Sequence, residues 1–337
     1  MTDDRQWILD TLRHRETCAV PYDFLFSPPA RARLETHYGT TDLDSALGLP
    51  MRMGGPRSVK PLYAPPGQFG PTATDEFGVV WTTSDIDRGS PVGPCLREAG
   101  LSGYTFPDPA AAYRFDHLAR WTDENAGHYT VLWVGDLWER ATFMRGMEAI
   151  LLDLVLEPRF VEALLRGLTD YVLGTLTILF DRFQFDGIAL SDDYGTQHGM
   201  LMSPEHWRRF VRPRLAEIYD LARRRGRTVL HHSCGNVVPI VGDLIDLGVD
   251  VLHPIQPEAM DIVALKREFG GDLTLCGGVP TQDLLPRGTP AEVRAEVRRL
   301  KDVMGKGGGY ILEPGITLQA DVPLANLVAM IEEARAL

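Results

Sequence analysis

Residues 227–238 read RTVLHHSCGNVV, and the reading of this stretch decides the fold. The apolar run Thr228-Val229-Leu230 leads into His231-His232-Ser233-Cys234 and then into the pair Gly235-Asn236. β-Branched and aliphatic residues feeding a Gly/Asn turn are how a buried parallel strand ends, so the polar cluster belongs at a strand's C-terminal tip. Side chains two apart on a strand share a face. His232 and Cys234 therefore aim at one point, while His231 and Ser233 turn the other way. An imidazole and a thiolate on one face are two ligands for a metal such as zinc. Taken alone, the pair also fits a buried thiol beside a hydrogen-bonded histidine.

The flanking sequence supplies the rest of the pattern. Downstream come a helix at 237–247, strand DVLHPIQ, a helix at 259–269, strand DLTLCGG, a helix at 290–304, strand GYILEPG and a helix at 322–336. Upstream, HYTVLWVGDLW reads as a strand, and 146–183 as two apolar-periodic helices broken near Glu157-Pro158. FDGIALSDDYG is a strand ending in carboxylates, and a helix capped by Ser203 starts at Pro204. Unbroken alternation forces a parallel sheet, and about seven or eight strands predict an α/β fold of the closed (β/α)8, or TIM barrel, type.

The chain is read as a single domain, 1–337, in which 1–112 form an N-terminal extension and rim and 113–337 the main barrel units. DDRQWILDTLRH predicts a short amphipathic helix, CAVPYDFLF a first core strand, and ARARLETHYG and DLDSALGL two short helices ended by glycines. Residues 50–112 are rich in Gly and Pro and predict hairpins and loops over one end of the barrel. Their aromatic residues Tyr63, Phe69, Phe77, Trp81, Tyr104 and Phe106 either line a pocket or pack on the rim.

Composition bounds the function. The 337 residues are 44% hydrophobic, ample for a full core. A net charge of −12 spread along the chain argues against nucleic acid or an anionic membrane as partner. The most apolar stretch, 171–190, is broken by Asp181, Arg182 and Asp186, and the start, MTDDRQW, has no signal pattern. A cytoplasmic protein is expected, with Cys18, Cys95, Cys234 and Cys276 as thiols or ligands.

In a barrel all C-terminal strand tips open on one rim, where active sites are built. The tips and the strands leading to them offer Trp133, Asp136, Trp138, Asp192, Asp193, Tyr194, His232, Cys234, His253, Gln256, Cys276 and Glu313, with Gln197 just beyond. Each has a structural alternative, since carboxylates at strand ends often cap the next helix, but together they favour a polar pocket. GKGGGY at 305–310 lacks the spacing of a phosphate loop and reads as a helix end and turn.

HSCGN, GVDVLHPIQPEAMD, CGGVPTQDLL with GTPAEV, and GGGYILEPG with DVPLANLVAMIEEA resemble the uroporphyrinogen decarboxylase superfamily. So do FPDP, RGMEAILLDL and SDDYGTQHGMLMSPEHW upstream, so the resemblance covers most of the chain. It implies a (β/α)8 barrel and one of two activities, decarboxylation or zinc-dependent methyl transfer between a cobamide and a thiol. True decarboxylases carry RQAGR near the N-terminus and GHGI near the C-terminus; here the places read YDFLFSPPARARL and PGITL. The methyltransferases carry HxCG, present as His232 to Gly235, and a later PGCG cysteine, whose place is taken by Ile316.

The resemblance therefore implies the corrinoid methyltransferase branch, with zinc on His232, Cys234 and, in place of the missing cysteine, Cys276. Gln256 and Glu313 are alternative oxygen ligands. Asp192 and Asp193 are the expected catalytic carboxylates. Trp133, Asp136, Tyr194, Gln197, His253, Gln256 and Glu313 are expected to bind a small-molecule substrate, and the cobamide to come as substrate or on a corrinoid carrier protein. The alternative is a metal-free decarboxylase acting on a small carboxylic or tetrapyrrole-like acid. A cobamide carrier is disfavoured because DxHxxG is absent.

Overall fold

A computed structural model describes residues 4–336. Seven strands form one all-parallel sheet: β1 (Met51–Gly54), β5 (Tyr129–Gly135), β6 (Gly187–Ser191), β7 (Thr228–His232), β8 (Val251–Ile255), β9 (Thr274–Val279) and β10 (Tyr310–Pro314), adjacent in that order. Between the first two, β2 (Thr72–Thr74), β3 (Val80–Thr82) and β4 (Pro91–Gly93) make a separate antiparallel sheet. The long strands are apolar because both of their faces are covered. The outer faces pack on helices such as Pro158–Arg182 and Arg212–Arg224. Met51, Val131, Ala189, Leu230, Val251, Cys276 and Ile311, one from each strand, meet in a second core on the inner face, which requires the sheet to curl.

Helix Asp4–Leu12 plugs the N-terminal end of this inner core with Ile8, and Arg5 anchors it to Asp186 at 2.6 Å. The C-terminal end is thus left for the site. Helix Pro158–Arg182 is long and apolar enough to span a membrane by length and composition, but half of its most apolar window is buried in the fold.

Two expectations are corrected. CAVPYDFLF does not form a full strand: Tyr22 bridges Leu312 and Phe26 bridges Leu318 beside β10, and no ladder to β1 is found among the described residues. Pro21 lacks the amide hydrogen that a longer ladder needs. The observed architecture is therefore a curled seven-stranded parallel sheet. Conversely, β1 belongs to the main sheet although it lies in the stretch read as extension; at four residues, ending in Gly54 and followed by Gly55-Pro56, it is too short to show a pattern. The rest of 50–112 is hairpin and loop, and its aromatic residues pack on the rim, Phe77 on Tyr171 and Trp81 on Phe143.

Local rules hold elsewhere. The helix break falls at Glu157-Pro158, between Met147–Leu156 and Pro158–Arg182. Ser203 caps Pro204–Phe210 by accepting from the His206 amide at 3.2 Å. The glycines after 305 turn the chain from helix Pro290–Met304 into β10.

Candidate active site

The strands deliver their chemical groups in register. Ser191 pairs with His232, and His232 with His253, so the two imidazoles stand side by side on the inner face. Beyond the strand ends, the loops after β6 and β7 touch backbone to backbone. A Cβ on Gly195 would lie 2.6 Å from the Asn236 amide, and Gly235 adopts φ +77°, a conformation glycine takes without strain. The Asn236 amide donates to the Thr196 carbonyl at 2.8 Å across this contact. Asp193 and Cys234, one on each loop, are thereby brought together, and the Cys234 amide donates to Asp193 Oδ1 at 2.8 Å.

His232 Nε2 lies 3.5 Å from Asp193 Oδ1 and 3.6 Å from Cys234 Sγ. Burial alone would raise Asp193, but the hydrogen bond and charge of His232 bring its carboxyl down to about 2. Burial likewise opposes a charge on His232, and Asp193 with Cys234 outweighs it, holding the imidazole well above its usual range. On the other ring edge, His232 Nδ1 meets His253 Nδ1 at 2.8 Å. His253 Nε2 lies 3.1 Å from Glu313 Oε2, which also accepts from the Cys276 thiol at 3.0 Å.

With the charge on His232, which Asp193 and Cys234 favour, the protons in this chain fall into place. His253 donates from Nε2 to Glu313, so its Nδ1 is an acceptor and His232 Nδ1 carries the shared proton. His232 Nε2 is then the atom presented to Asp193 and Cys234. Burial pushes the Cys276 thiol well up, in keeping with a donor rather than a thiolate. Burial would raise Glu313 too, but His253 overrides it and keeps the carboxyl low.

These groups form two sets of metal-ligating atoms, Asp193 with His232 and Cys234, and His253 with Cys276 and Glu313, each within 4.8 Å of one another. Tetrahedral zinc with bonds of about 2.0–2.3 Å spaces its ligand atoms about 3.3–3.8 Å apart. The 3.5 and 3.6 Å separations around His232 Nε2 fall in that range, and carboxylate, imidazole and thiolate are all zinc ligands, so the first set fits the metal. The second set is where an imidazole ligand's supporting carboxylate belongs.

The structure does not bring the expected trio His232, Cys234 and Cys276 together. Cys276 sits mid-strand opposite Ile311, a layer below the tip, and its thiol is spent on Glu313. Asp193 stands in its stead beside His232 and Cys234, while Ile316 is 46% exposed and brings no donor. Gln256, expected as ligand or substrate contact, is a staple instead: its side chain accepts from the Gly235 amide at 2.6 Å and donates to the Gly315 carbonyl at 2.8 Å.

The two expected catalytic carboxylates part company. Asp193 reaches the site, whereas Asp192 is fully buried and caps helix Trp138–Arg145, accepting from the Leu137 and Glu139 amides at 3.0 and 2.9 Å. The Tyr194 hydroxyl donates to its other oxygen at 2.7 Å, so Tyr194 is core rather than a substrate contact. Burial raises Asp192 to about 8 against these donors. Asp136 is held by Arg140 at 3.1 Å, Gln197 is exposed on the loop after β6, and Trp133 packs edge-on to His232 with ring centres 5.8 Å apart. His231 turns away, as the strand period requires, and bonds the Tyr219 hydroxyl at 2.6 Å; burial lowers it to about 3.

Sequence reasoning missed Glu139 and Arg88. Glu139 accepts from Ser191 Oγ at 3.1 Å and from Arg88 at 3.1 Å, and burial, then the charge of Asp193, raises its carboxyl. Glu139 follows a strand tip by four residues inside WVGDLWER, which is a readable signal; Arg88 comes from the loop between β3 and β4 and has none.

Residues 133–337, more than half of the chain, match the family model of uroporphyrinogen decarboxylase (URO-D). The chain belongs to the uroporphyrinogen decarboxylase family. No curated protein matches this URO-D member. Among solved structures it is similar to a methyltransferase from Methanosarcina mazei, with 17% identity and a TM-score of 0.74 over 99% of this chain and 98% of that one. A glycosylated endo-β-1,4-xylanase of glycoside hydrolase family 10 from Gloeophyllum trabeum aligns at 13% identity and a TM-score of 0.42, over 71% of this chain and 83% of that one. At these identities the likeness to the methyltransferase shows that this URO-D chain shares its fold.

Proposed function

We propose that this protein is a methyltransferase that moves a methyl group from a cobamide, free or on a corrinoid carrier protein, to a small thiol or similar acceptor in a reducing cytoplasm. The architecture is read as a (β/α)8 barrel with an open seam between Tyr22 and β1. The observation that carries the proposal is the convergence of Asp193, His232 Nε2 and Cys234 Sγ on one point at the C-terminal rim. These three residues would hold zinc. When bound, zinc lowers the pKa of an incoming thiol and keeps it as thiolate at neutral pH.

The residues around this point have separable tasks. Glu313 and His253 fix the His232 ring so that Nε2 faces Asp193 and Cys234. Gln256 holds the loops bearing Cys234 and Gly315 in place. Glu139, a buried carboxyl with raised proton affinity, takes the thiol proton, and Arg88 balances the charge it then carries. Trp133 gives an apolar wall beside His232 for a flat substrate. The thiol sulfur's electron pair forms the new S–CH3 bond, the Co–C pair stays with the cobalt, and the S–H proton goes to Glu139.

The test is a methylcobalamin assay with a panel of thiols, followed by loss of methylcobalamin absorbance. Thiol-dependent demethylation that Cys234→Ser abolishes supports the reading. A second reading, metal-free decarboxylation of a small acid, is favoured by the Asp193–His232 pair, which supplies a charged imidazole as proton donor. Release of CO2 from a carboxylic acid by chelator-treated protein would decide for it.

A further inference from the structure

The seam between the Tyr22–Phe26 segment and β1 is an opening through the wall of the sheet. A cavity of about 610 Å3 runs along it, a size that suits a small-molecule site. Met51 belongs to the inner core and Met53 packs on it, so Arg52 between them points outward. Tyr22 and Phe24 belong to the outer core, so Asp23 between them points inward. All of Asp23, Met51, Arg52 and Met53 line the cavity, which therefore passes from one face of the wall to the other.

Both edges of the seam are satisfied by their own side chains. On β1, the Pro50 carbonyl is taken by the Tyr129 amide, while the Leu49 and Met51 carbonyls accept from Arg52 Nη1 at 2.5 and 2.9 Å. On the other edge, the Asp23 amide is spent on the Leu312 carbonyl, and the Phe24 amide donates to Asp23 Oδ1 at 2.9 Å. Groups that a neighbouring strand would otherwise satisfy are thus provided for, and the gap has no need to close.

The lining selects a cation. Asp23 is 4% exposed, and its second oxygen has no hydrogen bond or ion pair among the described residues. Burial, and then the charge of Glu313 beside it, raise its carboxyl, and a cation seated there offsets both effects. Asp42, Asp44 and Glu124 add further carboxylates. The two guanidinium groups of the lining are already engaged, Arg31 by Asp44 at 2.7 Å and Arg52 by the carbonyls of its own edge. Trp121 offers an aromatic face to an ammonium group.

Resting on the methyl transfer proposed above, the opening also has a place in the reaction. The thiol sulfur must meet the methyl carbon from the side opposite cobalt: the S–C bond forms, the Co–C bond breaks with its electron pair left on cobalt, and the S–H proton goes to Glu139. A flat cobamide over the C-terminal rim leaves the interior as the acceptor's side, and the seam leads there. We infer that the seam is a side entrance and binding slot for the acceptor, and that the acceptor is an aminothiol whose ammonium group is held by Asp23.

Calorimetric titration of the full chain with 2-(methylthio)ethylamine, which carries the ammonium group but no free thiol, reads the slot independently of methyl transfer. The amine is expected to bind and its N-acetyl derivative not to. Asp23→Asn, which keeps an oxygen for the Phe24 amide, is expected to weaken the amine about tenfold. Trp121→Leu, on another wall, should weaken it about threefold. In the methylcobalamin assay wild type should favour cysteamine over 2-mercaptoethanol about tenfold in kcat/KM, and Asp23→Asn should erase the preference by slowing cysteamine alone. Amine binding that is lost in Asp23→Asn upholds the cation slot even where no thiol accepts a methyl group, a result that counts against the proposed reaction instead. Equal binding of amine and amide, amine binding indifferent to Asp23→Asn, or equal kcat/KM for the two thiols overturns the inference.

Discussion

His232 and His253 face each other Nδ1 to Nδ1 at 2.8 Å, one proton between them, with Glu313 fixing the far side of His253. The pairing follows from register, since the two residues are lateral partners on β7 and β8. Removing the support leaves His232 free to rotate and to change tautomer. His253→Ala is therefore expected to weaken zinc affinity about 10–100-fold, with Glu313→Gln acting in the same direction. Competition with a chromogenic chelator measures it, and unchanged affinity would mean that the imidazole pair is only packing.

Asp192 and Asp193 are neighbours with opposite duties. Asp192→Ala removes the acceptor for two amides and the Tyr194 hydroxyl, and is expected to cost about 1–3 kcal/mol in urea unfolding. Asp193→Asn should leave the unfolding midpoint nearly unchanged and lower metal affinity instead. Equal loss of stability in both variants would contradict the assignment.

Gly235→Ala tests the crossing of the two loops. The new methyl group would meet the Gly195 backbone, in a left-handed conformation that costs an L residue about 1–2 kcal/mol before any clash. Stability and metal affinity are expected to fall together, because the same crossing sets Cys234 beside Asp193. Chemical denaturation and zinc titration of one preparation give both values.

Glu139→Gln keeps the shape of the side chain and removes the proton acceptor. Methyl transfer to a thiol is expected to drop about tenfold or more with zinc content unchanged, and the loss should shrink for acceptors of lower thiol pKa. A uniform loss across acceptors would make Glu139 a structural partner of Arg88.

Much of this was legible in the chain. The alternation of apolar runs and helical periods announced the parallel sheet, and the two-residue strand period placed His232 and Cys234 on the side opposite His231 and Ser233. What sequence could not supply was depth and competition. Cys276 lies a layer beneath the rim because of register with β10, and Asp192 is taken by the helix that β5 launches, facts set by pairing between distant strands. The short β1 and the single bridges of Tyr22 were hidden for the same reason, since each owes its conformation to a neighbour rather than to its own pattern. Arg88 reaches Glu139 across 51 residues from a loop of no distinctive composition.

The most direct measurement is the zinc content of protein purified without added metal, in wild type and in single variants. One zinc per chain is expected in wild type and in Cys276→Ser, with loss in His232→Ala, Cys234→Ser and Asp193→Ala. Zinc that disappears with Cys276→Ser but survives Asp193→Ala, or wild-type protein that neither contains nor takes up zinc, would contradict the site described around His232.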